Sequence, residues 1–213
     1  MQDVSTRLAQ NVDRIVARID ALPEHSGRTL VAIAGAPGSG KSTVAEAVVA
    51  ALVARGEQAV LMPMDGFHLD NRLLDPRGLL ARKGAPETFD FGGFLSTIRR
   101  VRGEASVVIP VFDRSREIAI AGAAEIGPET AIVIVEGNYL CLDEEPWRAL
   151  APLWDLSVFL DVPVATLEQR LVERWLSHGF DRAAAEAKAR GNDLRNAERV
   201  QGATLPTDLT LKN

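Results

Sequence analysis

An eight-residue run in the first quarter of the chain has the residue types of a phosphate-binding loop. Residues 35–42, Gly-Ala-Pro-Gly-Ser-Gly-Lys-Ser, match G-x-x-x-x-G-K-[ST]. Glycines let the backbone curl so that successive N–H groups point at phosphate oxygens, and the N-terminus of a following helix adds a partial positive charge. Lys41 would reach the β- and γ-phosphates, and Ser42 would ligate Mg²⁺. The run therefore predicts a site for ATP and Mg²⁺. The residues expected to hold the nucleotide are Gly35, Ala36, Pro37, Gly38, Ser39, Gly40, Lys41, Ser42 and Thr43.

Two carboxylates follow apolar runs, at positions where the remaining residues of a nucleotide site are expected. Asp65 follows the apolar run 59–64, and Glu136 follows the run 132–135. In an open parallel sheet the ligand crevice lies beyond the carboxyl ends of the strands, so both side chains should face it. Asp65 is the candidate base for a substrate hydroxyl, and Glu136 is the candidate that holds the Mg²⁺ shell through water. Either carboxylate could instead be a helix cap or turn residue.

Arginines recur late in the chain. Arg170 and Arg174 are four residues apart and so share a helix face, while Arg182 and Arg190 flank the next helical segment. Guanidinium groups suit phosphate oxygens, so we expect this row to neutralise a transferring phosphoryl group. The alternative is that these arginines form surface pairs with nearby glutamates, which stabilise a protein little.

Short apolar runs supply the strands that would position these residues. The unbroken runs 30–34 and 131–135 fit strands buried on both faces, and weaker runs occupy 59–62, 106–109 and 156–160. Helical patterns separate most of them. This order predicts an α/β fold of the P-loop NTPase type, in which helices flank a doubly wound, mostly parallel sheet.

Apolar residues at three- and four-residue spacing predict an opening helix within 1–24 and a second helix over 41–55. Pro163 can begin a third helix that stops at Gly179, and Asp181 can cap an Ala-rich helix that runs to Gly191. Together these form a helical hairpin over 163–200, which we expect to act as a lid that excludes water from the phosphates.

The segment 66–90 is rich in turn-forming residues. A loop of this length in a compact domain is usually functional, so we interpret it as an acceptor-binding insertion, with a solvated surface excursion as the alternative. No repeat, low-complexity linker or charge block divides the chain, so a single domain over 1–213 is expected.

Composition excludes several classes of protein. Of 213 residues 46% are apolar and 25% charged, and the net charge is −5. These values argue against a disordered chain, and the single Cys141 argues against a disulfide scaffold. The acidic balance argues against a nucleic-acid partner, and no apolar run approaches the roughly 18 residues of a membrane span. Charges interrupt the N-terminus, so no signal peptide is expected. We expect a cytoplasmic protein with Cys141 reduced and a small-molecule partner, and whether it forms a homodimer is left open.

The order of these motifs resembles the phosphoribulokinase, uridine kinase and pantothenate kinase family over about residues 28–212. The resemblance is carried by the P-loop and by segments 64–68, 83–90, 110–114, 135–139 and 170–175. The chain looks closest to the branch labelled fructose-transport-associated, or fructokinase-like, kinases. The resemblance implies that Asp65 is the catalytic carboxylate, Glu136 the metal-side acid, and Arg170 and Arg174 lid arginines.

The same resemblance places six residues at the acceptor: His68, Lys83, Phe89, Asp113, Arg114 and Arg116. Met-Asp-Gly-Phe-His at 64–68 departs from the pattern of uridine kinases. The corresponding motif of pantothenate kinases is more similar, but those enzymes are longer chains. The implied activity is transfer of a γ-phosphoryl group to a hydroxyl of a sugar or sugar phosphate, with uridine and pantothenate as alternatives.

Residue types on the acceptor side favour an anionic or strongly polar acceptor. Six cations gather in two segments of an acidic protein: Arg72, Arg77, Arg82, Lys83, Arg114 and Arg116. Five phenylalanines accompany them and could stack on a base or pack on a sugar ring: Phe67, Phe89, Phe91, Phe94 and Phe112. The alternative is that the cations are solvated surface charges.

Two other functions are compatible with a P-loop. A GTPase switch would need an Asn-Lys-x-Asp motif, which the sequence lacks, and the D-x-x-G match at 75–78 lies in the turn-rich segment. A nucleotide-binding regulator without catalysis is the second rival, and the presence of Asp65 and Glu136 weighs against it.

Overall fold

The computed structural model describes residues 4–24 and 26–213. Its strands, in chain order, are β1 (Thr29–Gly35), β2 (Ala59–Pro63), β3 (Val107–Asp113), β4 (Ile118–Ile126), β5 (Ile132–Gly137), β6 (Leu156–Asp161) and β7 (Leu209–Lys212). Five of them form a sheet in the order β2-β5-β1-β6-β7, and every neighbouring pair in this sheet is parallel. The parallel α/β sheet predicted from the apolar runs is confirmed.

The helices are α1 (Val4–Asp20), α2 (Lys41–Ala54), α3 (Asn71–Leu74), α4 (Phe91–Gly103), α5 (Val164–Ser177), α6 (Arg182–Lys188) and α7 (Leu194–Gly202). A π-helical turn, Ala189–Asp193, joins α6 to α7. Short 3₁₀ helices occupy Met64–Phe67, Leu80–Arg82, Pro86–Thr88 and Trp147–Leu153.

The sheet is covered on both faces, as the doubly wound prediction requires. Along β1, Val31 and Ile33 join the core beneath α1 and α2. Leu30, Ala32 and Ala34 join a second core that includes Phe94 of α4. Because successive side chains of a strand point to opposite faces, one strand can be apolar throughout and still serve two cores.

Strand register brings the functional strand ends to one edge of the sheet. Pro63 of β2 lies opposite Glu136 of β5, and Ala34 of β1 lies opposite Gly137. Because all these strands run parallel, the residues that follow β1 and β2 meet the end of β5 at the same edge.

One strand prediction is wrong in its placement. The run 106–109 was expected to join the parallel sheet, but β3 pairs antiparallel with β4 in a separate two-stranded hairpin. A parallel crossover needs a dozen or more residues, whereas β3 and β4 are joined by residues 114–117 alone. Neither β4 nor β7 was predicted.

Helix bounds also differ in places. The opening helix, expected within 1–24, is described over Val4–Asp20, and residues 1–3 lie outside the described residues. The Ala-rich helix is capped by Asp181, whose carboxylate accepts from the Ala184 N–H at 2.9 Å, as predicted. It does not end at Gly191, because the backbone passes through the π turn into α7.

The segment 66–90 is folded against the core. Its short helical turns bury Leu74, Pro86, Thr88 and Phe89. The surface-excursion alternative describes only the middle of the segment, where residues 75–78 are exposed. Elsewhere, Cys141 is a free, buried cysteine, and burial raises the pKa of its thiol to about 12. Within the described residues, no helix combines the length and apolar character that crossing a membrane requires.

Candidate active site

The P-loop connects β1 to α2, the arrangement that its motif requires. Gly40 is the N-cap residue of α2 and has φ +83°, a left-handed conformation that favours glycine. The Ser39 N–H donates to the Ala36 carbonyl oxygen at 3.0 Å, which closes the loop. The first turn of α2 then begins at Lys41, so the backbone donors of a helix N-terminus stand beside the loop.

Glu136 and Ser42 meet at the end of β5. Ser42 Oγ donates to Glu136 Oε2 at 3.2 Å, and Glu136 is buried with 4% of its surface exposed. Burial raises the pKa of the Glu136 carboxyl above its ordinary value, while the charge of Lys41 and the bond from Ser42 oppose that rise. A buried acid with a perturbed pKa beside a phosphate-binding loop is a candidate functional residue.

This pair fits Mg²⁺. Magnesium is commonly held by one or two protein oxygens, with substrate phosphates and water completing its shell. Ser42 and Glu136 supply a hydroxyl and a carboxylate at hydrogen-bond distance from each other. Within residues 4–24 and 26–213, no cluster of three or more histidine, cysteine, aspartate or glutamate side chains could hold a metal ion. One hydroxyl and one carboxylate leave most of a Mg²⁺ shell to phosphate oxygens and water, so the pair suits an ion that arrives with a nucleotide.

The raised pKa of Glu136 predicts a stability effect that depends on pH. The folded state holds the proton of the Glu136 carboxyl more tightly than the unfolded state does. The free energy of unfolding of the wild type therefore falls as the pH rises from the pKa of Glu136 in the unfolded state through its pKa in the folded state. Glu136→Gln removes that loss. We expect the unliganded variant to melt at a higher temperature than wild type at pH 8, because it cannot ionise in the buried position. The difference should shrink at pH 5.

Thermal unfolding without nucleotide or Mg²⁺ at the two pH values checks this prediction. Glu129→Gln, the same change at an exposed acid in the turn between β4 and β5, is the control. A Glu136→Gln variant that melts below wild type at pH 8 would contradict the argument.

Asp65 lies in the 3₁₀ turn that follows β2, and its carboxylate is bound by Arg114. Arg114 Nη2 lies 2.6 Å from Asp65 Oδ2, with 70% of the arginine side chain exposed and 19% of the aspartate side chain. The close approach depends on Gly66, since a Cβ there would lie 2.4 Å from the Pro110 carbonyl oxygen of β3. The β3–β4 hairpin thus packs on the turn and brings Arg114 to Asp65.

His68 stands between two aromatic rings on the same side. Its ring centroid lies 4.1 Å from that of Phe89 and 4.6 Å from that of Phe112. His68 Nδ1 is 2.8 Å from the Asp65 carbonyl oxygen. Burial lowers the pKa of the His68 imidazole below its ordinary value, although the charge of Asp65 acts in the other direction. The imidazole thus forms part of an aromatic wall next to Asp65, and burial favours its neutral form.

Lys83 closes the far end of this wall. Its ammonium donates to the Glu117 carbonyl oxygen at 2.7 Å and to Asn71 Oδ1 at 2.9 Å, and it lies 5.5 Å from the centroid of the Phe112 ring. These bonds connect the segment 66–90 to the hairpin. The structure thus brings four residues of the predicted acceptor set, His68, Lys83, Phe89 and Arg114, together with Asp65.

Asp113 and Arg116 occupy the hairpin turn, where they bind each other. Arg116 Nε lies 2.7 Å from Asp113 Oδ2, and Asp113 Oδ1 accepts from the Ser115 N–H at 2.9 Å. The bonds from Ser115 and Arg116 hold the pKa of the Asp113 carboxyl well below its usual range. In this structure both residues shape the turn that carries Arg114.

The two arginines predicted to share a helix face have different partners. Arg170 Nη1 lies 3.3 Å from the Gly38 carbonyl oxygen, so it reaches the P-loop. Arg174 instead lies 2.8 Å from Asp193 of the π turn. Arg182 pairs with Glu186, and Arg190 pairs with Glu168 and Glu186. For these last two arginines the structure matches the surface-pairing alternative.

Several contacts at the site were not predicted. Asn213 Nδ2 donates to the Ser39 carbonyl oxygen at 2.6 Å, although 174 residues separate the two. Asn192 of the π turn accepts from Arg82 at 2.7 Å and donates to the Lys83 carbonyl oxygen at 2.8 Å. No local pattern marks either asparagine, because each contact depends on the packing of distant segments.

Two buried side-chain oxygens in the described part of the chain have no hydrogen-bond partner, Ser39 Oγ and Asn138 Oδ1. One lies in the P-loop and the other follows Glu136 by two residues. Because buried polar atoms are rarely left unpaired, both oxygens are positions where a water molecule or a ligand would complete the hydrogen bonding.

Comparison with known proteins agrees with this geometry. Residues 30–189 match the family model described as the phosphoribulokinase/uridine kinase family. The protein YggC of Escherichia coli K12, named as uncharacterized, is 38% identical over 175 residues, which cover 81% of this chain and 73% of that protein. A Schizosaccharomyces pombe protein provisionally named a uridine kinase is 32% identical over 210 residues, which cover 94% of this chain and 89% of its own.

Among solved structures, a protein from Silicibacter sp. TM1040 provisionally named a fructose transport system kinase superposes with a TM-score of 0.89. It is 56% identical, and the match covers 95% of this chain and 98% of that one. The similarity thus extends over the P-loop, the strand ends and the helices that follow β6.

Proposed function

The chain belongs to the phosphoribulokinase/uridine kinase family, and from that premise we propose that it transfers the γ-phosphoryl group of ATP to a hydroxyl of a small sugar or sugar phosphate. One observation carries the proposal. Three features lie at the same edge of the sheet: the P-loop, the buried Glu136 that accepts from Ser42, and Asp65, which forms an ion pair with Arg114. Phosphoryl transfer needs this combination of anion cradle, metal-side acid and base.

Asp65 is the proposed base. Its carboxylate would accept the proton of the acceptor hydroxyl as that oxygen attacks the γ-phosphorus. In the structure, Arg114 occupies the carboxylate at 2.6 Å, so the acceptor has to share or displace this guanidinium. Because Arg114 is 70% exposed, the pair contributes at most about 1 kcal/mol and an acceptor can open it at small cost.

Lys41 and Arg170 are proposed to hold and neutralise the phosphates. Lys41 begins α2 at the mouth of the loop, and Arg170 contacts the loop from α5. Ser42 and Glu136 would hold Mg²⁺, which would neutralise the negative charge that develops on the phosphates.

Residues 163–200 are proposed to form the lid. They comprise α5, α6, the π turn and most of α7, and Arg174 is held by Asp193 inside this unit. Closing such a unit over the phosphates would exclude water and bring Arg174 toward the transferring group. The segment 66–90 is proposed to form the opposite, acceptor-binding wall.

A sugar or sugar phosphate suits the acceptor wall best. His68 and Phe112 present aromatic faces, while Lys83 and Arg114 present cationic groups at its ends. Aromatic rings pack on the apolar face of a sugar ring, and guanidinium groups bind phosphate or hydroxyl oxygens. The name given to the Silicibacter relative, which is 56% identical, supports this choice.

Uridine is the second candidate acceptor. The stacked rings of His68, Phe89 and Phe112 could also accommodate a base, and the Schizosaccharomyces pombe relative is named for uridine. Two alternatives have less support: pantothenate as the acceptor, and a nucleotide-binding regulator without catalysis. The assay of acceptor-dependent ADP release described next distinguishes them.

Arg114→Ala tests the acceptor assignment. We expect the KM for the sugar or sugar phosphate to rise about 10–100-fold, the effect of losing one hydrogen bond to a charged group, while the KM for ATP changes less than about threefold. The measurement is acceptor-dependent ADP release with fructose, fructose 6-phosphate, uridine and pantothenate. Arg100→Ala, which removes another exposed arginine paired with one carboxylate, is the control.

An Arg114→Ala enzyme with unaltered acceptor KM and turnover would overturn the role of Arg114. Selective turnover of uridine by the wild type would show that the acceptor is a nucleoside and not a sugar. The proposal that the protein is a kinase would still hold.

A further inference from the structure

The π turn between α6 and α7 contacts segment 66–90 through the carboxamide of Asn192. Asn192 Oδ1 accepts from Arg82 Nη1 at 2.7 Å, and Asn192 Nδ2 donates to the Lys83 carbonyl oxygen at 2.8 Å. The guanidinium of Arg82 also donates at 3.2 Å to Oδ1 of Asn196, a residue that is 1% exposed. A flipped Asn192 amide would lose both of its bonds, because each end would then face a group of its own kind. Asn192 therefore joins the π turn to the acceptor segment in one defined geometry.

The next residue of the π turn, Asp193, contacts α5 instead. Asp193 Oδ2 accepts from Arg174 Nη2 at 2.8 Å and from Trp175 Nε1 at 2.7 Å. Consecutive residues of a helical turn project roughly a quarter of a turn apart, so Asn192 and Asp193 can contact two different elements. These two residues hold the acceptor segment and α5 on either side of one turn of backbone. A π turn is also a feature that occurs frequently at functional sites.

The contacts continue from this turn to both halves of the proposed active site. On the acceptor side, the Lys83 ammonium donates to the Glu117 carbonyl oxygen in the hairpin turn that carries Arg114, the partner of the proposed base. On the other side, α5 reaches the P-loop, where Arg170 Nη1 lies 3.3 Å from the Gly38 carbonyl oxygen. A continuous series of contacts thus joins the acceptor wall to the phosphate cradle.

We propose that Asn192 is a positioning residue that couples binding of the acceptor to binding of the nucleotide. The inference rests on the proposed kinase function, because it concerns the two ligands of one reaction. An acceptor that binds Arg114 and the wall beside Lys83 fixes segment 66–90. Through Asn192 and Asp193, this also fixes α5 and its arginines beside the P-loop. The nucleotide then meets groups that are already ordered, so each ligand strengthens the binding of the other by the same factor.

Titration calorimetry of the full chain with Mg²⁺ and the non-hydrolysable ATP analogue AMP-PNP, with and without saturating acceptor, tests the coupling. The acceptor is whichever of fructose, fructose 6-phosphate, uridine and pantothenate increases ADP release most in wild type. Acceptor should tighten analogue binding to wild type at least about fivefold, the lower end of typical coupling between two sites. In Asn192→Ala this ratio should fall below about twofold, while affinity for the analogue alone stays within about twofold of wild type.

Arg182→Ala is the control, since it removes an exposed pair with Glu186 inside α6 and no contact to segment 66–90. It should keep the wild-type ratio. A ratio in Asn192→Ala equal to that of wild type would overturn the inference. Equal weakening with and without acceptor would do the same, because that is the effect of an asparagine that only supports the fold.

Two outcomes in wild type separate this inference from the proposed function. Analogue affinity that acceptor does not change, although acceptor increases ADP release, would show two independent sites and overturn the coupling alone. ADP release that no acceptor increases would overturn the proposed function, and the inference with it.

A second variant keeps the test decisive if Asn192→Ala does not fold, which thermal unfolding would reveal. Asp193→Ala removes the bonds to Arg174 and Trp175 and leaves the contacts between Asn192 and Arg82 in place. Its ratio should also fall below about twofold. A folded Asp193→Ala variant that keeps the wild-type ratio would contradict the proposed path through α5.

Discussion

Replacing Lys41 with alanine is expected to abolish phosphoryl transfer and to weaken ATP binding strongly. Lys41 is the lysine of the P-loop motif and begins α2, beside the buried Glu136 whose pKa its charge affects. Without it, the β- and γ-phosphates lose a direct cationic partner both in the complex and in the transition state. We expect ADP release to fall below detection and ATP affinity to fall at least about tenfold, the smallest effect of removing a charge-assisted hydrogen bond.

Lys212→Ala is the matched control, since this lysine forms an exposed ion pair with Asp161. Thermal unfolding of both variants separates loss of the site from loss of the fold. A Lys41→Ala enzyme with wild-type turnover would show that residues 35–42 do not bind the reacting phosphates.

Asp65→Asn is expected to separate chemistry from binding. Asparagine keeps the shape of the side chain but cannot take the hydroxyl proton, so kcat should fall about 10²–10⁴-fold. ATP affinity should stay within about threefold of wild type, because a base acts mainly in the transition state. Initial rates with saturating acceptor, together with calorimetric ATP binding, measure the two effects. Asp20→Asn, which removes the exposed pair with Arg55, serves as the control.

If ATP affinity in the presence of Mg²⁺ collapsed in Asp65→Asn, Asp65 would be a ligand of the metal and the base would have to be sought elsewhere. The variant also loses the charge that Arg114 binds, so its acceptor KM reports on the ion pair as well.

Local patterns were sufficient to predict the centre of the site. The P-loop is contiguous in sequence, and Asp65 and Glu136 each follow an apolar run that forms a strand. Once the strands are parallel, their carboxyl ends meet at one edge, so the proximity of these residues follows from topology without knowledge of side-chain packing. The catalytic roles of both carboxylates stay predictions.

The contacts between distant segments could not be predicted. Arg114 reaches Asp65 because the β3–β4 hairpin leaves the parallel sheet and packs on Gly66, whereas the apolar run of β3 resembled another parallel strand. Asn213 reaches Ser39 because β7, a four-residue strand, adds to the sheet next to β6. Short strands and single asparagines carry little signal in a sequence, since their partners are chosen by tertiary packing.

The most direct test of the kinase proposal is ADP release by the wild-type chain with Mg²⁺ and ATP, measured with and without each acceptor. The account predicts slow ATP hydrolysis alone and a large increase with fructose or fructose 6-phosphate, with the phosphorylated sugar found by mass spectrometry in amounts equal to ADP. Turnover that no hydroxyl-bearing acceptor increases, with ATP still bound, would contradict it and favour a nucleotide-binding regulator.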